Sequence, residues 1–357
     1  MAINTTVMSG FELLKKLQQW SKVNMKQEIL LCTIDIADLY RMIPQVEGVL
    51  ALKKMLDHLN LKQINGLKTE VIIRLARFVM QNNYFIYEGQ YYHQIRGGAM
   101  GSRLTLTIAN CYMFFYEQNI VKQINNSGGL YLRYIDDLFI IMINWPIRHF
   151  IKQVDRWKKF DENIKLSANI SLRADFLDLH MENQDGQLVT TVYHKPSYEP
   201  YYLPFNSIHS IHMKKNIPFT MLLHAIRYCS TFQAYLDERE KLRMDLLLNK
   251  YPIKFIDQQF NHVLQKFSIG QPLTRNNYNK LRQEIINAPF KEKISIDFNK
   301  TMFVHFIYCS NMKTFPQKFQ VLWNKYFGES PINETIPILG TRNLDNLQRQ
   351  LVHTRQA

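Results

Sequence analysis

The stretch Leu130–Ile143, LYLRYIDDLFIIMI, constrains the fold of this chain more than any other. Two adjacent aspartates, Asp136 and Asp137, sit between runs of apolar and β-branched residues. Such runs read as buried strands, and a buried strand tolerates ionised carboxylates only where the chain turns. The pattern therefore predicts a hairpin with the two carboxylates at its tip. Carboxylates pinned at a tight turn favour a counter-cation, either Arg/Lys or a divalent metal. Arg133 falls on the strand face opposite Asp136, which leaves metal as the sharper expectation. A lone Tyr-x-Asp-Asp also fits a solvated turn, so its chemistry depends on what the rest of the chain brings to it.

A second acidic position lies upstream. Ile29–Ile36 reads as a strand with Leu30, Cys32, Ile34 and Ile36 on one face and Thr33 and Asp35 on the other. A sheet packed on helices through one face leaves Asp35 looking into an open cleft. Two divalent ions about 3.5–4 Å apart need bridging carboxylates from more than one element, and Asp35 with Asp136 and Asp137 would supply them. That is the donor set of phosphoryl transfer by positioning and charge stabilisation. Spacing alone leaves open that these acidic positions are unrelated.

The remaining chain reads as helices and hairpins. Residues 8–20 form an amphipathic helix capped by Ser9, with Phe11, Leu14, Leu17 and Trp20 in register. Val46–Leu61 and Glu70–Met80 are helical, and an aromatic hairpin turns at Glu88-Gly89. Gly97, Gly98 and Gly101 punctuate a loop before Ser102, the N-cap of a long helix carrying Leu104, Ile108, Cys111 and Phe115 on one stripe. Such a loop lets backbone N–H groups approach a phosphate or base pair. Trp157–Asn163 returns to helix and Ile164–Ser167 to strand, and Phe176–Met181 pairs with Gln187–Tyr193 across Asn183–Gly186. From Ser207 onward the chain is mainly helical, with Pro218 and Pro252 in first turns.

The formal net charge is +14, with the excess heavier in the second half. A polyanionic partner uses such charge, and nucleic acid is favoured over membrane because no lipidation signal or polybasic end tract is present. Cys32, Cys111, Cys229 and Cys309 are widely spaced among apolar neighbours and read as reduced packing residues. No signal-peptide pattern or bilayer-length apolar run occurs, so an intracellular, soluble protein of two subdomains is expected.

Six segments then carry a resemblance. DIADLYRMIP (Asp35–Pro44), QIRGGAMGSRLTLTIANCYM (Gln94–Met113), LRYIDD (Leu132–Asp137), FLDL (Phe176–Leu179), YHKPSYEPYYLPFNSIHS (Tyr193–Ser210) and RYCS (Arg227–Ser230) resemble, in this order, motifs of the reverse transcriptases of Penelope-like retroelements. NKYPIKFI and ILGTRNLDNLQRQLV look like the family's thumb and the stretch that follows it. The resemblance implies an α+β fold, a right-hand polymerase palm of antiparallel sheet packed on helices, followed by a mainly helical thumb. The palm would occupy residues 1–195, with the first metal motif at 29–44, the glycine loop and helix at 94–124, the YIDD hairpin at 130–143 and a primer-grip hairpin at 176–193. Residues 196–357 would form the thumb and a C-terminal extension.

By the same resemblance, Asp35, Asp136 and Asp137 hold two Mg2+ ions, or Mn2+, with the Ile36 carbonyl as an extra ligand. Tyr40 is the steric gate against a 2′-hydroxyl, and Gln94 with Gly98, Ala99, Met100, Gly101 and Ser102 positions template and nucleotide. Lys165 is the candidate proton donor to pyrophosphate. Arg103, Phe176, Leu177, His194, Lys195, Ser207, His209, Lys214, Lys215 and Arg227 are expected to contact nucleic acid, chiefly its backbone. RNA template, DNA primer and deoxynucleoside triphosphates are the implied partners, and the nucleus the implied compartment.

Arg103 and Leu106 replace two family prolines. The family's fingers strands would lie upstream of Met1, to be supplied by a longer product, and no Gly-Ile-Tyr endonuclease pattern follows Leu351. Two further readings stand beside the polymerase: a catalytically incomplete nucleic-acid-binding fragment, and a zinc protein using His194, His209, His212 and Cys229. The second lacks paired Cys-x-x-Cys spacing.

Overall fold

Strand β1 (Leu30–Ile36) is the centre of a four-stranded antiparallel sheet in the order β6-β7-β1-β8, where β6 is Leu130–Tyr134, β7 Asp137–Met142 and β8 Leu166–Ser171. The computed structural model describes residues 5–143, 145–267, 269, 271–288, 297, 300–307 and 314–342. These fall into two compact units, one comprising 1–196 with 228–234 and the other 197–227 with 235–357.

In the first unit, one sheet face carries Cys32, Ile34 and Ile36 of β1, Leu138, Ile140 and Met142 of β7, and Tyr131 of β6, all buried. Helix α1 (Gly10–Asn24) begins as the sequence predicts: Ser9 Oγ accepts from Glu12 N–H, and Glu12 reaches back to the Met8 N–H at 2.9 Å. Leu13, Leu14 and Leu17 are its core residues, each worth about 1.5–3 kcal/mol of burial, while Phe11 and Trp20 stay half-buried. Helix α2 (Leu39–Met42) is a single turn, followed by α3 (Gln45–His58). A two-strand ribbon, β2 (Gln63–Ile64) and β3 (Leu67–Lys68), leads into α4 (Thr69–Gln81).

The aromatic hairpin of β4 (Tyr84–Tyr87) and β5 (Gln90–His93) forms with Phe85 stacked on Tyr92 and Tyr84 on His93, yet all eight residues are exposed. Helix α5 (Arg103–Asn126) starts at Ser102, whose Oγ accepts from Thr105 N–H. The predicted helix at Trp157–Asn163 lies earlier: α6 runs Ile147–Trp157, and its amphipathic face buries Phe150, Val154 and Trp157. Strand β8 is displaced likewise, because Ile164 N–H closes a turn onto the Asp161 carbonyl.

A three-stranded sheet follows, ordered β11-β10-β9, from β9 (Arg173–Phe176), β10 (Leu179–Gln184) and β11 (Gln187–Val192). Here the structure corrects the sequence reading. FLDL is itself a turn, with Leu177 at φ +56°, so Phe176 belongs to a strand antiparallel to β10 rather than to β10. The Asp185-Gly186 turn, with both φ positive, fits the expected hairpin. Asn183, buried, ties this hairpin to the entry of β1 by donating to the carbonyls of Lys26, Gln27 and Ile29.

The second unit is built on helices: α7 (Ile211–Tyr228), α8 (Phe232–Leu248), α9 (Ile253–Lys266) and α10 (Tyr278–Asn287). Pro252 is the N-cap of α9. Pro218, expected in a first turn, lies inside α7, because the helix begins seven residues earlier at Ile211. The unit is less uniformly helical than expected. Strands β12 (Thr301–Ile307) and β13 (Ile336–Arg342) pair in parallel, with α11 (Phe315–Phe327) in the crossover that parallel pairing requires. Cys309 and most of the expected stretch after ILGTR lie outside the described residues.

Candidate active site

The register of the central sheet places Asp35 directly opposite Asp137, so both side chains stand on the face opposite Cys32, Ile34 and Ile36, at the end of strands whose Leu31, Phe139 and Ile141 are buried on that same face. Asp136 occupies the turn between β6 and β7, and its carbonyl accepts the Ile36 N–H at 3.1 Å, joining the turn to the end of β1. Asp35 is exposed and Asp137 half-buried. Burial raises the Asp137 carboxyl above the ordinary carboxylate range; Asp136 and Asp35 add to the rise and Lys195 opposes it. Three like charges therefore act on one another here, with one exposed lysine in electrostatic reach.

Oxygen donors of this kind suit Mg2+, and the repulsion felt by Asp137 is what a bound cation would relieve. Among the described residues, however, no group of three or more His, Cys, Asp or Glu side chains stands at metal-holding spacing. The donor set fits in chemistry, and Asp35 and Asp137 share a sheet face with Asp136 at the adjoining turn. The zinc reading of His194, His209, His212 and Cys229 gains no cluster either. Burial pushes the Cys32 thiol to about 12 and Cys111 to about 11, as packing residues should behave.

Tyr40, half-buried on α2, has its phenol raised by burial first and then by the charges of Asp136 and Tyr134, which sets it beside the aspartate turn. Its carbonyl accepts from Gly98 N–H at 3.0 Å, and Ile43 accepts from Gly97 N–H at 3.1 Å. The glycine loop is thus laced to the segment bearing Tyr40. Gly97 sits at φ +68°, and a Cβ there would meet the Tyr40 oxygen at 2.4 Å. Ala99 and Ser102 are half-buried, whereas Met100 and Gly101 are exposed and Gly101 has open space where a Cβ would point. Gln94 is engaged within the hairpin base: its Oε1 accepts from Asn83 at 2.7 Å and its Nε2 donates to the Arg96 carbonyl at 2.9 Å. Arg103 is exposed at the start of α5.

Other expected contacts divide sharply. Lys165 is exposed, with its carbonyl held by Ala37 N–H at 3.0 Å. Phe176 is core, its ring 5.6 Å from Phe139, so its burial rather than a ligand accounts for it. Leu177 and His194 are half-buried and Lys195 is exposed. In the second unit, Lys214 is buried; its ammonium donates to the Ser207 carbonyl at 2.6 Å, which removes it from phosphate contact. Ser207 Oγ and His209 Nδ1 are buried without a hydrogen-bond partner among the described residues. Arg227 is half-buried near the end of α7, where its carbonyl accepts from Arg282. Lys215 is exposed and lines a groove of ≈ 590 Å³ between α7 and α9 with His212, Asn216, His262 and Lys266. Lys266 is held 4.6 Å over the Phe219 ring, and among the described residues no acidic side chain lines the groove.

Arg133 was expected merely to lie away from Asp136. It is buried, and Glu117 takes its Nε hydrogen bond at 2.7 Å. Sequence reading missed Glu117 and Asn110 altogether; their i, i+7 spacing on α5 was the available signal.

Residues 201–261 match the family model described as "Animal helix-turn-helix domain", about α7 to α9. A comparison with curated proteins finds no match. Among solved structures, a telomerase from Candida albicans, in complex with a TWJ fragment of telomeric RNA, matches with TM-score 0.56 and 11% identity over 81% of this chain and 49% of that one. An apo telomerase from Candida tropicalis matches with TM-score 0.44 and 14% identity, over 80% of this chain and 51% of that one. A Sicinivirus 3Dpol RNA-dependent RNA polymerase gives TM-score 0.41 and 10% identity, over 71% and 54%. This chain spans about half the length of the telomerase chains it matches. No helix among the described residues is long and apolar enough to cross a membrane. The Candida albicans likeness shows the fold: mixed helix and sheet resembling the palm and thumb of a telomerase reverse transcriptase.

Proposed function

We propose that this chain is the palm-and-thumb part of an RNA-directed DNA polymerase of the Penelope-like retroelement kind, acting in the nucleus. It would add deoxynucleotides to a primer 3′-hydroxyl on an RNA template. The observation that carries the reading is the β1/β7 register, which sets Asp35 opposite Asp137 with Asp136 at the adjoining turn.

Asp35, Asp136 and Asp137 would hold two Mg2+ ions, or Mn2+, with the Ile36 carbonyl close by. When bound, such ions lower the pKa of an attacking hydroxyl and neutralise leaving pyrophosphate. The chain's own groups do the positioning. Tyr40, beside Asp136, would close the space a 2′-hydroxyl needs, and the glycine loop laced to it would seat the nucleotide and template. Lys165 is the proton donor to pyrophosphate in this scheme, and Lys195 a counter-charge at the carboxylates. The Lys215 and Lys266 groove would take phosphodiester backbone in the second unit.

One surface supports the idea that a fingers segment completes the protein. Val71, Leu75, Phe78 and Val79 of α4 are exposed at helical spacing, next in sequence to the exposed aromatic hairpin. Apolar faces of this extent mark an interaction site. The basic groove of the second unit, which can hold phosphodiester backbone without chemistry at the aspartates, favours a second reading, a nucleic-acid-binding fragment that cannot turn over unaided.

Primer extension on an RNA template with deoxynucleotides and Mg2+ decides between them, run on this chain and on a longer product carrying a fingers segment. The polymerase reading expects extension, strongest in the longer product, abolished by Asp136→Ala and opened to ribonucleotides by Tyr40→Ala. Extension untouched by Asp136→Ala defeats the mechanism; hybrid binding without extension in either protein leaves the second reading.

A further inference from the structure

Ile135 opens the turn that carries Asp136, and it does so at φ +56°. A β-branched residue is an outlier there, at a cost of order 1–3 kcal/mol, and two-residue hairpins with this conformation ordinarily use glycine. Something must hold the turn in place.

The Ile135 carbonyl accepts a hydrogen bond from Arg133 Nη1 at 3.0 Å. The same nitrogen donates to Asn110 Oδ1 at 2.8 Å, and Arg133 Nε donates to Glu117 Oε2 at 2.7 Å. Tyr131 OH donates to that same Glu117 oxygen at 2.8 Å, and both charged side chains are about 1% exposed. Tyr131 and Arg133 share one face of β6, while Asn110 and Glu117 share one stripe of α5. A rigid guanidinium fork is thereby fixed by the helix before it reaches the turn. Removing either partner of a buried pair leaves an uncompensated charge, so the pair is costly unless fully engaged.

We propose that Arg133 is a positioning residue: through the Ile135 carbonyl it locks the left-handed turn, and so fixes where Asp136 stands relative to Asp35. The turn's other outward bond, Ile36 N–H to the Asp136 carbonyl at 3.1 Å, carries that geometry across to β1. Any catalytic consequence rests on the polymerase reading; the lock itself does not.

The test is amide hydrogen exchange on the full chain. Arg133→Lys keeps a charge for Glu117, but one ammonium cannot also span Asn110 and the Ile135 carbonyl in the fork's geometry. The Ile36 amide should exchange roughly tenfold faster in Arg133→Lys, with Leu138 and Ile140 unchanged. Glycine adopts a positive φ freely, so Arg133→Lys/Ile135→Gly should return Ile36 to within about twofold of Ile135→Gly alone. A merely structural tie between α5 and β6 would not be rescued in this way. Unchanged Ile36 exchange in Arg133→Lys overturns the proposal, as does acceleration throughout β6 and β7 that glycine fails to reverse. Should Arg133→Lys not fold, Asn110→Ala removes one anchor without touching the charge pair, and it must loosen Ile36 selectively or the proposal fails. In extension assays Arg133→Lys should lower kcat by roughly tenfold with the nucleotide KM unchanged. Absence of extension in both the unaltered chain and the longer product would count against the polymerase reading, while the exchange result still judges the lock.

Discussion

At the residue scale the site is an arrangement of charges that destabilises the chain holding it. The Asp137 carboxyl is raised by burial and by Asp136 and Asp35, so the folded state binds its proton more tightly than the unfolded state does. Folded protein then holds more protons between the unfolded and folded values, and stability falls as pH rises through that window. Asp137→Asn should accordingly raise the melting temperature of metal-free protein at pH 7 by roughly 2–4 °C. The gain should shrink as pH is lowered through the raised folded value, where the native carboxyl protonates. Calorimetry of both proteins at several pH values checks this; a destabilised Asp137→Asn would mean that the carboxylate serves the fold. Asp35, Asp136 and Asp137 were legible in the sequence because a carboxylate in an apolar strand stands out. Arg133 was legible as a charge but not as a lock, since its partners arrive from a helix whose stripe was read only through its apolar members. Lys214 shows the converse: a lysine in a basic run suggests phosphate, yet this one turns inward onto the Ser207 carbonyl.

At the element scale, the hairpins that were readable are those flanked by clear apolar or aromatic alternation, including the glycine-free one at Ile135-Asp136, whereas the short exposed Asn65-Gly66 ribbon of β2 and β3 was not, despite its glycine. Glu88-Gly89 and Asp185-Gly186 carry positive φ at both positions, and both turns fall where the sequence predicts, although the strand entering the second begins at Leu179 rather than Phe176. Ile135 and Leu177 take positive φ without glycine, and at Leu177 the missing signal hid β9 altogether. The β12-α11-β13 unit was missed for a different reason, its alternating TMFVHFI being taken with the helical run before it. The glycine loop is the element where backbone permissiveness serves the site. Gly97→Ala would press a Cβ against the Tyr40 carbonyl and Arg41 Cα at 2.4 and 2.6 Å while holding φ positive. Backbone has to move, and α2 is the short helix it would displace. We expect a loss of about 2–3 kcal/mol on denaturation, together with weaker nucleotide binding. Gly101→Ala, with open space at Cβ, should pay only for its φ and lose less. Equal losses in the two variants would contradict the lacing of the loop to Tyr40.

At the scale of the whole molecule, the net charge of +14 is the feature that composition announced, and its use lies in where lysines stay unpaired. Lys215 and Lys266 form no ion pair with a carboxylate among the described residues and share one groove. Affinity for an RNA/DNA hybrid should fall steeply with salt, and Lys215→Gln/Lys266→Gln should flatten the logarithmic salt slope by about two units. An unchanged slope would remove the groove from the binding surface. A mixed fold of palm and thumb was legible in the sequence, and the Candida albicans telomerase resembles that fold at 11% identity.

Whether Asp35 and Asp137 of one sheet face and Asp136 of the adjoining turn form an ion site for nucleotidyl transfer is decided by counting Mn2+ ions by electron paramagnetic resonance. The titration is made on the chain bound to an RNA/DNA hybrid with a terminated primer and a deoxynucleotide. Two ions are expected, falling to one or none in Asp35→Asn and in Asp136→Asn. An ion count unchanged by either substitution, or no binding by the unaltered chain, would contradict the account.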